Sequence, residues 1–190
     1  MALTDEQVAD FEKDGFIIAR GVLADDDLQP VIDELSVFID RRANELKAEG
    51  KIEELYADEP FEKRYGLIFK QSKEIGLGID IMQLRGRAMF AFLRNDNLVD
   101  VAASLVGPEV TCNPIQHVRA KPPAVYEKHD GPGFHNVPWH QDAGVMMPEA
   151  DDSNVLTFWL PIGDATDEMG CMRVLPGVPK SHGYLKHQKE

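Results

Sequence analysis

Pro138-Trp139-His140-Gln141-Asp142 is the stretch whose residue types and spacing could do chemistry. On a strand, residues i and i+2 project from the same face, so the His140 imidazole and the Asp142 carboxylate can aim at one point. An imidazole and a carboxylate so placed are two arms of a 2-His-1-carboxylate facial triad. That arrangement holds iron(II) and leaves positions open for a bidentate cosubstrate and O2. The same three letters also describe a surface histidine hydrogen-bonded to its neighbours. The pair therefore gains meaning only from the elements that would position it.

Those elements change character along the chain. The first part, residues 1–107, reads as mostly helical. Leu3-Thr4-Asp5-Glu6-Gln7-Val8 fits a capping box, with Thr4 as N-cap, Gln7 at N3, and Leu3 and Val8 placed as a hydrophobic staple. Gly15 falls where a left-handed residue would end that helix, and Phe16-Ile17-Ile18-Ala19 follows as a short strand candidate. Asp25-Asp26-Asp27 gives an acidic first turn to a longer helix. Its apolar stripe is Leu28, Val31, Ile32, Leu35, Phe38, Ile39 and Leu46, and it stops by Gly50. Pro30 is expected within its first turn. A short Ile52–Tyr56 helix, a break at Pro60 and mixed polar sequence come next. Arg85–Val106 reads as helix in two pieces around Asn95-Asp96-Asn97, stopped by Gly107-Pro108.

Residues 108–190 are richer in strand formers. Val110–Ala120, Asn154–Leu160 and Cys171–Leu175 are the candidates, separated by loops marked with Pro122-Pro123, Gly131-Pro132-Gly133, Pro148 and Pro176-Gly177. Helices first and strands second predict an α+β chain with a mainly β core and the helices packed outside it. One domain over 1–190 accommodates both parts.

The succession of motifs in that second half resembles the phytanoyl-CoA dioxygenase family. Lys121-Pro122-Pro123, then the Trp139-His140-Gln141-Asp142 ligand strand, then Thr157-Phe158-Trp159-Leu160-Pro161-Ile162 follow in order. After them come Met169-Gly170-Cys171, Pro176-Gly177 and Ser181-His182. Phe11-Glu12-Lys13-Asp14-Gly15-Phe16 is similar to the family's F-x-x-D-G-F/Y opening.

The resemblance implies a double-stranded β-helix (jelly roll) oxygenase that uses iron(II), with 2-oxoglutarate as cosubstrate. O2 is consumed, 2-oxoglutarate is decarboxylated to succinate and CO2, and an unactivated C–H bond of a small organic substrate is hydroxylated. It implies His140 and Asp142 as metal ligands and catalytic residues. An Asp at the carboxylate position, rather than a small residue that leaves room for chloride, points to hydroxylation instead of halogenation. Gln116 resembles a position that faces the 2-oxoglutarate site, and Thr166, in the turn before Gly170, is placed to donate to a carboxylate. Lys121 could hold an anionic group, although a solvated lysine is the simpler reading. Trp159 is expected in the core, and Trp139 with Met146-Met147 would suit a substrate wall or, equally well, a lid or the core. Substrate choice would lie in loops such as 122–137 and 143–153.

The family's third ligand, a later His, and the Arg that pairs the far carboxylate of 2-oxoglutarate find no clear counterpart. His182 falls in a loop turn lengthened by Val178-Pro179-Lys180, His187 lies near the end, and neither is assigned as that ligand. His135 is on the opposite strand parity from His140, and His117 and His129 carry no ligand spacing. Roughly 80 residues follow Gly107, room for about four strands where a jelly roll has about eight. The core is thus expected to be incomplete, as in an N-terminal part of a longer protein.

Composition narrows the alternatives. With 43% hydrophobic and 28% charged residues the 190-residue chain has the mix of a globular protein. A formal charge of −13 argues against nucleic-acid or anionic-membrane partners, which need clustered Lys and Arg, and fits plain solubility. No apolar run approaches the ~20 residues of a membrane span. The first residues lack a signal peptide's basic and apolar regions, so a cytoplasmic location is expected. Cys112 and Cys171 are too few and too far apart for a disulfide framework or a zinc site. Two rivals to an oxygenase stay open: a cupin-like isomerase that binds metal without redox chemistry, and a truncated, non-catalytic jelly-roll relative.

Overall fold

The structure, a computed structural model, describes residues 1–81, 83–113, 116–122, 138–146, 153–183 and 185. Its organising element is a long helix, α2 (Asp25–Ala48). Before it runs α1 (Asp5–Asp14), and after it come α3 (Phe61–Gln71), α4 (Arg87–Phe92), α5 (Asp96–Val106) and the short α6 (Val178–His182).

The predicted start of α1 forms as expected. Gln7 N–H donates to Thr4 Oγ1 at 3.2 Å, and Thr4 N–H donates to Gln7 Oε1 at 2.9 Å. Gly15 ends the helix at φ 79°, the left-handed region, its N–H donating to the Phe11 carbonyl at 2.8 Å. In α2 the apolar stripe becomes the buried face: Val31, Leu35, Phe38, Ile39, Ala43 and Leu46. Pro30 stands in the second turn rather than the first, because the helix already begins at Asp25.

Opposite that face lie Ile68 and Phe69 of α3, then Ile75, Ile81 and Leu84, then Met89 and Phe92 of α4. Helix α3 is longer and better formed than the mixed polar reading of its sequence suggested. Pro60 does not break a helix but caps this one, and Phe61, Tyr65, Ile68 and Phe69 recur at helical spacing toward α2. The Ile52–Tyr56 helix does not form, yet Ile52 is still buried in the core.

Two carboxylates on α2 organise its neighbours. The Asp27 side chain accepts from Ala24 N–H at 2.8 Å and, through its other oxygen, from Asn95 Nδ2 at 2.8 Å. Asn95 in turn caps α5, its Oδ1 accepting from Asn97 and Leu98 N–H. Glu34 accepts from Ala88 N–H at 3.0 Å and Met89 N–H at 3.4 Å, at the first turn of α4. A Cβ on Gly86 would run into that carboxylate, so glycine is what lets α2 cap α4. Arg64, buried, donates to the Leu55 carbonyl at 3.2 Å and pairs with Asp40.

Burial pushes the Tyr65 phenol from 10 up to about 12. The folded chain therefore keeps this proton at pH values where the unfolded chain has released it. The stability so conferred is present below the unfolded value of 10 and lost as pH rises through about 12. Two pH units correspond to about 2.7 kcal/mol as an upper bound. Tyr65→Phe is expected to flatten this alkaline loss in urea unfolding followed by circular dichroism. The same slope in the variant would assign it to another group.

The mainly β core is not what the described residues form. Among the described residues there is no strand and no sheet, and the α+β jelly-roll expectation is corrected to a helical architecture. A strand is made by its partner's hydrogen bonds, not by its own composition. Among the described residues, no backbone hydrogen bond pairs Phe16–Ala19, Val110–Ala120, Asn154–Leu160 and Cys171–Leu175 with one another. Their apolar side chains divide instead. Val118, Leu160 and Ile162 lean on the helical core, whereas Val155, Phe158, Met172, Val174 and Leu175 are exposed. Trp159, expected in the core, is 43% exposed, and Trp139 is 63% exposed.

Candidate metal centre

The pair His140 and Asp142 does meet, by a route other than the pleat of a strand. The chain bends at Trp139 and enters a 3-10 turn over Asp142–Val145. This folding places His140 Nε2 3.2 Å from Asp142 Oδ1. The other ring nitrogen, Nδ1, lies 2.7 Å from the Pro138 carbonyl, which can only accept. Nδ1 therefore carries a hydrogen, and Nε2 is the ring nitrogen turned toward the carboxylate. On the far side of that carboxylate, Thr157 Oγ1 donates to Oδ2 at 2.7 Å.

The ring nitrogen and the carboxylate oxygen face each other across 3.2 Å, a contact that either a hydrogen on Nε2 or a metal ion shared by both atoms satisfies. Outer partners of this kind, a carbonyl behind the imidazole and a hydroxyl behind the carboxylate, are what fix metal ligands in place. The donor set, one imidazole nitrogen and one carboxylate oxygen, suits iron(II). Both side chains are about half exposed, so the pair is open to ligands. Thr157→Val keeps the shape and removes the hydroxyl. It is expected to weaken iron(II) binding roughly tenfold in an anaerobic titration; unchanged affinity would show that Oδ2 needs no such partner.

Further contacts connect the motif-bearing segments of the sequence to one another. Gln141, between His140 and Asp142, donates through Nε2 to the Gly183 carbonyl at 2.8 Å and accepts at Oε1 from Leu185 N–H at 2.7 Å. Gly177 N–H, at the start of α6, donates to the Asp14 carbonyl at the end of α1, 2.8 Å away. Lys121 Nζ donates to the Gly170 carbonyl at 2.9 Å, so it is neither solvated nor held for an anion. Neither Thr157 nor Gln141 is singled out by sequence reasoning, although Gln141 sits inside the H-x-D itself.

The remaining candidates stand apart from the pair. Gln116 is half-buried with its amide against Cys112 Sγ. Thr166 closes its own turn: its carbonyl accepts from Met169 and Cys171 N–H. Its hydroxyl also helps hold the Glu168 carboxyl below the usual carboxylate range, after the larger effect of Glu168's own backbone N–H. Among the described residues no hydrogen bond joins Gln116 or Thr166 to His140 or Asp142. His117 pairs with Asp80 at 3.1 Å, and His182 Nδ1 lies 2.7 Å from Ser181 Oγ. His129, His135 and His187 fall outside the described residues, as does Met147. Among the described residues no group of three His, Cys, Asp or Glu forms that could share a metal ion.

One imidazole and one carboxylate are two of the three donors of a 2-His-1-carboxylate iron(II) site. Residues 11–190 match the family described as Phytanoyl-CoA dioxygenase (PhyH), and the chain belongs to that family. Its members are in general iron(II)- and 2-oxoglutarate-dependent oxygenases acting with O2 on small molecules. No curated protein and no solved structure matches the chain. Among the described residues no helix is long and apolar enough to cross a membrane.

Proposed function

We propose that this chain is an iron(II)- and 2-oxoglutarate-dependent oxygenase that hydroxylates a small organic substrate, with His140 Nε2 and Asp142 Oδ1 holding the iron. The observation that carries the reading is the arrangement of outer partners. The Pro138 carbonyl engages Nδ1 so that Nε2 is the ring nitrogen facing Asp142, and Thr157 occupies the carboxylate oxygen turned away from the imidazole. When bound, iron(II) with 2-oxoglutarate and O2 supplies the oxidation of a C–H bond, releasing succinate and CO2.

The chain's own residues bind and orient. Asp142 contributes one oxygen and a negative charge at the metal, while the Thr157 hydroxyl holds the carboxylate in one rotamer. Gln116 and Thr166 are the proposed 2-oxoglutarate contacts. To serve, Gln116 must leave Cys112 and the Thr166 hydroxyl must leave its own turn, so substrate binding would rearrange both. Trp139, exposed beside His140, offers an apolar surface to a substrate.

The test is succinate formation from 2-oxoglutarate by protein loaded with iron(II) without oxygen and then exposed to O2, across a range of candidate substrates. Turnover dependent on iron and 2-oxoglutarate is expected. Tight iron binding without succinate would replace this reading with a metal protein that does no redox chemistry, as in a cupin-like isomerase.

A further inference from the structure

We propose that Gln141 is a positioning residue that ties the His140 and Asp142 side chains to Gly183 and Leu185, and through α6 to the end of α1. The inference rests on the metal reading of His140 and Asp142.

The Gln141 amide makes two hydrogen bonds of opposite sense to one short piece of backbone. Its Nε2 donates to the Gly183 carbonyl at 2.8 Å, and its Oε1 accepts from Leu185 N–H at 2.7 Å. A primary amide is the side chain that offers a donor and an acceptor side by side. Here it takes the place that a backbone peptide would take in a pairing of two strands, and it does so where no strand pairing forms among the described residues.

The position of this residue in the chain gives the clamp its consequence. Gln141 is the single residue between the two ligands, so fixing its side chain fixes the peptide units that carry His140 and Asp142. From Gly183 the connection continues into α6, and Gly177, just before that helix, is held to α1 by the 2.8 Å bond from its N–H to the Asp14 carbonyl. The bite between Nε2 and Oδ1 is thus set from outside the loop that bears it.

Co(II) serves as the probe metal, in the intact chain. Gln141→Ala removes both bonds. Gln141→Glu keeps the size and the acceptor for Leu185 N–H, but as a carboxylate it faces the Gly183 carbonyl without a hydrogen to give. Both variants are expected to bind Co(II) about tenfold more weakly, the usual effect of losing an outer-shell partner. At saturating metal they should show a shifted Co(II) visible spectrum, and the helical circular dichroism and its thermal midpoint should stay at wild-type values. Hydrogen exchange at Leu185 N–H should speed up in Gln141→Ala. Wild-type affinity and spectrum in both variants, while His140→Ala has lost Co(II), would overturn the clamp alone. Co(II) binding that survives in His140→Ala would instead remove the metal reading on which the clamp depends.

Discussion

His140→Ala is expected to lower iron(II) affinity by more than about a hundredfold, since loss of an outer partner alone costs about 10–100-fold. The substitution removes the imidazole nitrogen that stands 3.2 Å from Asp142 Oδ1 and leaves a single carboxylate, too little to hold iron(II) in competition with water. Competition with a chromophoric chelator under anaerobic conditions gives the constant. His182→Ala is the control, because its ring is turned to Ser181 Oγ. Unchanged iron affinity in His140→Ala would place the metal elsewhere in the chain. A loss in His182→Ala as large as that in His140→Ala would make His182 a ligand after all. The helices should not register either substitution, because His140 is about half exposed and lies outside the core.

The second large effect is on folding. Leu46→Ala is expected to cost about 2–5 kcal/mol, the range for emptying a fully buried leucine site. That is a large part of the ~5–15 kcal/mol that holds a domain together. Leu46 has no exposed surface and sits at the end of α2 where that helix meets the rest of the core. Val37, on the same helix, is 71% exposed, and Val37→Ala should change stability by no more than about 0.5 kcal/mol. Chemical unfolding of the pair of variants checks the contrast. Equal effects would mean that the α2 face does not dominate stability.

Legibility differed between the two halves for a physical reason. Helix signals are local: the Thr4 capping box, the α2 stripe and the Asn95 break before α5 each lie within a few residues, and each appears in the structure as read. Helix α3 escaped because Lys63, Arg64 and Lys70 masked a stripe whose members are Phe61, Tyr65, Ile68 and Phe69. Strand formation depends on partners distant in sequence. Valines and aromatics in 110–120 and 154–160 announced a preference that no ladder among the described residues fulfils.

For the site, His140 and Asp142 lie side by side, but a bend and a 3-10 turn bring them there, not the pleat of a strand. Thr157 and Gln141 were not legible. Each acts through one or two hydrogen bonds to residues 15 and more than 40 positions away, and nothing in a one-dimensional pattern marks such a contact.

The placement of the two tryptophans has a practical consequence. Trp139 adjoins His140 and Trp159 lies two residues beyond Thr157, both partly in water, while the buried helical core holds none. Intrinsic fluorescence of this protein therefore reports on the neighbourhood of the candidate ligands and far-ultraviolet ellipticity on the helices. Quenching by an added metal ion and melting of the helical body can be followed in one cuvette as separate optical channels.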